Sequence, residues 1–134
     1  MAMHVELVSP EQVLYEGEAD MVVARTAGGG DIAFLPGHAA FLGALATWPV
    51  RIIQNEGPEL KAAVHGGFVE VSNNTVTVLT DVAELPDQID VTRANEAESR
   101  AEAALAANPD DEEAAAALER AHARLAVAGI RQLG

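Results

Sequence analysis

The sequence predicts an all-β sandwich of about ten short strands followed by an α-helical antiparallel hairpin. Three observations carry this. Residues 1–85 split into short apolar runs separated by glycine, proline and asparagine turns, at the spacing of about 8–12 residues typical of sandwiches and barrels. After Asp90 the chain is alanine-rich, and apolar residues recur at helical spacing. Finally, "NPDD" at 108–111 interrupts that helical stretch once. The boundary is placed at 85/86, giving a sandwich over residues 1–85 and a two-helix unit over residues 86–134.

Taken in order, "HVELVSP" alternates and stops at Pro10, which predicts an edge strand and a turn. "VLYEGEADMVVART" reads as one longer strand region with a bend or bulge at Gly17. "AGGGD" is a turn. It lacks the lysine and hydroxyl residue of a phosphate loop, and no helix follows it. "IAFLPGHAAFLGAL" holds a strand, a Pro-Gly turn and a second apolar run. Strands then alternate with turns at 55–58, at Gly66-Gly67 and at Asn73-Asn74. The last is a hairpin signal, because asparagine tolerates positive φ.

In the tail, Asp90 is a helix cap whose carboxylate can accept first-turn amides. Val91, Ala94, Ala97, Ala101, Ala104 and Leu105 share one face of the first helix. Pro109 stops that helix and suits the first turn of the second. Asp110, Asp111, Glu112 and Glu113 favour the dipole at its start. Ala114, Ala117, Leu118, Ala121, Leu125 and Ala128 form its apolar face. With so short a loop the helices must run antiparallel. Their seam is mostly alanine, and each buried methyl contributes only about 0.8 kcal/mol. The helices should therefore form readily but dock weakly, as a movable element would; a static hairpin is the other reading.

Composition narrows the function. The net charge is −13, the opposite of the basic footprint that nucleic acid requires. There is no apolar run of about 18 residues to span a membrane, and "MAMHVELVSP" has neither the basic start nor the long apolar stretch of a secretory signal. The absence of cysteine excludes disulfides and thiolate metal sites. His4, His38 and His65 lie in three strand regions, and no H-x-H or H-x-x-x-H spacing presets a metal site. No serine or cysteine stands in a nucleophile elbow, so no catalytic residue is expected.

"GDIAFLPGHAAFLGAL", "HGGFVEVSNNTVTVLTDVAE" and the opening "MHVELVSPEQVLYEGEADMV" closely resemble three ordered segments of the epsilon subunit of bacterial F-type ATP synthases. The resemblance spans essentially the whole chain. Ala33 stands where the family often has glycine, Ala40 where it often has proline, and His65 where it usually has serine. The resemblance implies a sandwich that binds the gamma subunit and sits on the c-ring. It also implies a tail that can extend into the catalytic alpha/beta head and restrain ATP hydrolysis. The chain would catalyse nothing alone. It would lie on the cytoplasmic face of the plasma membrane, held there only through the complex. Asp31 and His38 are the residues expected at the gamma and c-ring surfaces. The local alternatives are a solvated turn carboxylate and a turn histidine bonded to nearby backbone.

"IDVTRA" at 89–94 is similar to the motif by which some bacterial epsilon subunits bind ATP as a regulatory ligand. By that resemblance Ile89 and Asp90 approach the adenine, Arg93, Arg120 and Arg124 receive the phosphates, and Ala94 completes the motif. Glu84 precedes the motif at the family's spacing. Arg100 shares a helix face with Arg93, seven residues on. Guanidiniums gathered in this way repel unless an anion lies among them, and their planar forks match phosphate oxygens. The competing reading is local: an i,i+4 Glu96–Arg100 pair, with Glu98 and the acidic run occupying the other arginines. An extended tail would offer Arg120, Arg124 and Arg131 to the head, against five nearby acids at 110–113 and 119. Weaker inhibition is therefore expected than in relatives with lysine-rich second helices. The alternative function is a stand-alone nucleotide sensor, which would not co-purify with gamma.

Overall fold

The computed structural model describes residues 2–130. Ten strands form two five-stranded sheets. One sheet is ordered β2 (Val13–Ala19), β1 (Met3–Val8), β9 (Thr75–Leu79), β8 (Phe68–Ser72), β5 (Phe41–Ala44). The other is ordered β10 (Ala83–Glu84), β7 (Leu60–His65), β6 (Thr47–Ile53), β3 (Met21–Arg25), β4 (Asp31–Phe34). The main core includes Met3, Val5, Leu7, Val22, Phe34, Ile52, Val64, Val69, Val76 and Val78. It is filled by the alternating inward residues of both sheets, which is why β1 and β8 show a period-two burial pattern.

Two strand expectations are corrected. β1 is interior, not an edge, because it pairs antiparallel with β2 and parallel with β9. That second partner comes from far along the chain, where a local pattern cannot see it. The "VLYEGEADMVVART" region is two strands, broken at Asp20, where the chain passes from one sheet to the other. Gly17 sits in regular register opposite Val5, and the irregularity falls at Leu7/Val8.

Asn73 and Asn74 both adopt positive φ (49° and 61°), as the two-residue hairpin demands. Gly67 has φ 114°, and a Cβ there would collide with the Leu79 carbonyl oxygen. Glycine is therefore required at that bend.

A single 3-10 turn, Pro86–Gln88, leads from β10 into α1 (Val91–Ala107), and α2 (Glu112–Val127) returns antiparallel. Both helices are capped by aspartate. The Asp90 carboxylate accepts from the Arg93 amide, and that of Asp111 from the Ala114 amide. Pro109 lies in the connecting turn, before the cap, not in the first turn of α2. α1 packs on α2, and α2 packs on β6 and β7. This explains why α2 buries Ala123, Ala126 and Val127 in addition to Ala114, Ala121 and Leu125. A single-face periodicity misses the sandwich-facing side. On α1 the buried stripe is Ala94, Glu98 and Ala101.

Candidate functional site

The tail meets the sandwich around a cleft of about 360 Å³, lined by Glu84, Gln88, Asp90, Arg93, Ala94, Ala97, Arg100 and Arg124. Six of the eight residues expected at a nucleotide site thus come together: Glu84, Asp90, Arg93, Ala94, Arg100 and Arg124. They arrive from three elements. β10 supplies Glu84, the start of α1 supplies Asp90 and the Arg93/Ala94/Arg100 face, and α2 supplies Arg124. Two expected residues lie elsewhere. Ile89 packs against Ala63, Ala123 and Val127, pinning the tail to β7. Arg120 donates to Glu113 at 3.0 Å along its own helix. Arg131 lies outside the described residues.

Glu84 organises the floor. Its Oε1 accepts from His65 Nε2 at 2.7 Å and from Arg124 Nε at 2.8 Å. Burial alone would raise the Glu84 pKa, but the bonds from His65 and Arg124 and the arginine's charge outweigh it and lower it. Arg93 and Arg100 have no carboxylate within ion-pair distance among the described residues, and the local Glu96–Arg100 pair does not form. Glu98 sits in the helix seam, with His122 Nε2 at 3.0 Å. Two cations with no carboxylate partner, beside a third tethered by one nitrogen, make a wall suited to an anion with several oxygens.

Comparison with known proteins shows the family. Residues 2–86 match the ATP synthase delta/epsilon chain β-sandwich domain, and residues 87–129 match the delta/epsilon chain long α-helix domain. The ATP synthase epsilon chain of Streptomyces griseus is 43% identical over 129 residues, covering 96% of this chain and 97% of that one. The chain belongs to the epsilon subunits of bacterial F-type ATP synthases. The epsilon chain of Halalkalibacterium halodurans is 42% identical over 131 residues, covering 95% and 97%. A chain of the Euglena gracilis mitochondrial ATP synthase structure (OSCP/F1/c-ring) superposes with a TM-score of 0.71 at 20% identity. It covers 96% of this chain and 78% of its own length and supports the fold. As an epsilon subunit, the chain is a non-catalytic stalk component of its complex.

The two residues expected to face neighbouring subunits lie at opposite ends of β4. Asp31 opens the strand and is held by Arg25 (Nε to Oδ1, 2.8 Å), whose guanidinium lies 4.2 Å from the centre of the Trp48 ring. His38 follows the strand's end. Its Nδ1 is 2.7 Å from the Ala39 carbonyl oxygen, and its ring packs edge-on to Phe34 at 5.1 Å. Of the other histidines, His4 lies beside Glu6 and Glu16, and His65 beside Glu84.

Sequence reasoning missed Gln88 and Ala97 in the cleft and the roles of His65 and His122. The replacement of the family's usual serine by His65 was the available signal.

Proposed function

We propose that this epsilon subunit is a rotor component of the central stalk, joining gamma to the c-ring, with a tail whose docked state is held by ATP. The observation that carries the nucleotide reading is the cleft. Arg93 and Arg100 of α1 and Arg124 of α2 converge there, so a triphosphate would cross-link two helices joined mainly through alanine. The adenine would lie toward Asp90 and Ala94. Ile89 would act indirectly, by fixing the start of α1. Arg120, engaged with Glu113, would have to leave it to reach the phosphates.

The gamma-facing role has its own support. Val13, Val8, Leu79, Phe68 and Ala44 are direct cross-strand neighbours on the outer side of the β2-β1-β9-β8-β5 sheet. Val13, Leu79 and Phe68 are large apolar side chains left exposed, a row suited to a partner protein. Among the described residues no helix is long and apolar enough to cross a membrane, and attachment to the cytoplasmic face would come through the complex.

Calorimetric titration of ATP into the purified chain tests the nucleotide reading. Saturable binding is expected, weakened by about 10- to 100-fold in Arg93→Ala and in Arg124→Ala, since each loses a charge-assisted bond of about 1.5–3 kcal/mol. No binding at millimolar ATP would reduce the motif to a helix cap.

A further inference from the structure

We infer that His65 is a positioning residue for the tail. Its imidazole holds the Glu84 carboxylate where that carboxylate grips Arg124, and proton uptake on His65 loosens the grip and frees α2 from the sandwich.

The geometry comes from the strand pattern. Ala62 and Val64 of β7 point into the main core, so Ala63 and His65 point to the opposite face. That face is the one α2 covers, because Ala63 is fully buried against Ala123 and Val127. The His65 side chain is 7% exposed, and both bonds that tie strand, carboxylate and helix together end on Glu84 Oε1. A carboxylate can only accept, so Nε2 carries the hydrogen and the neutral ring leaves Nδ1 unprotonated. Nδ1 is buried and has no hydrogen-bond partner among the described residues. A second proton would go there, creating a buried donor with nothing to bond.

The charged groups that act on the ring are Glu84 from β10 and Arg124 and Arg120 from α2, and Asp81, just before β10, lines a cavity together with His65. β6 presents the neutral Thr47 opposite His65. Burial pushes the imidazole below its ordinary value. The Glu84 bond opposes this, and the two arginines reinforce it. Docking therefore favours the neutral ring. Its contribution is complete above the ordinary histidine pKa of about 6.5 and is lost as pH falls below it. Glu84, also depressed, acts in the same direction but in a lower window, beneath the carboxylate value of 4.5.

The inference concerns the tail with no nucleotide present, so it stands or fails separately from ATP binding. Cysteine is naturally missing, so Glu56→Cys and Ala106→Cys allow a spin-label pair across the exposed 55–58 turn and the far end of α1. Distance distributions are recorded in the full chain between pH 8 and 5.5. The docked-to-released ratio should fall by a factor of about 3–10 across this range. It should stay flat in His65→Gln and fall normally in His122→Gln. A flat wild-type profile overturns the inference, as does a His65→Gln profile matching wild type. Should His65→Gln fail to fold, an NMR titration of the wild-type imidazoles decides. A His65 midpoint below those of the exposed histidines is expected, and one at or above them overturns the inference.

Discussion

Glu84 is one carboxylate asked to satisfy two donors from different parts of the chain, and its removal should be felt on both sides. Glu84→Ala leaves the Arg124 guanidinium and the His65 Nε2 hydrogen without their acceptor in a part-buried place. A loss of about 1–3 kcal/mol in tail docking is expected, read as faster amide exchange in α2 with β1 and β9 unaffected. Glu84→Gln keeps an acceptor oxygen and should cost less. At this scale the sequence was legible where one residue type has one local use. Asp90 caps its helix and Asn73-Asn74 turns a hairpin because only local backbone geometry is involved. Ile89 and Arg120 were not legible. The motif puts them beside the other ligands along the chain, but their side chains answer to Ala63 on another element and to Glu113 two turns back.

The two helices differ in support although their compositions are alike. α2 is buried against both α1 and the β6/β7 surface, whereas α1 packs extensively on α2 alone, through Ala94, Glu98 and Ala101. Hydrogen exchange should therefore rank α1 fastest, α2 intermediate and the central strands slowest. Equal protection of both helices would contradict this ranking. His122→Ala should quicken α1 selectively, by about 1–2 kcal/mol of opening free energy, because the buried Glu98 loses its imidazole partner. Helical periodicity made both elements readable from sequence. The second buried face of α2 was unreadable, because an alanine stripe looks the same whether it meets a helix, a sheet or water. The strand count was readable for a similar local reason, while the place of β1 within its sheet depended on β9.

Across the whole molecule, the main core contains no residue from either helix. A fragment of residues 1–90 should thus unfold cooperatively, with a melting temperature within a few degrees of the full chain, as checked by circular dichroism. In the assembled complex, the same truncation should raise ATP hydrolysis only modestly. The second helix carries few cations against the acids of 110–113 and 119, so cationic side chains would give an extended tail little electrostatic hold. Strong activation on truncation would show that charge does not set the inhibition.

The parallel pairing of His4 with Thr75 has a consequence for the life of the chain on the ribosome. The first strand made must wait for roughly 70 further residues before its second neighbour exists, about 4–14 s at 5–20 residues per second. The helices are made after every strand. Each new molecule therefore has its tail undocked until the sandwich has closed, and the release contemplated for the working rotor revisits an arrangement that the chain has already passed through at birth.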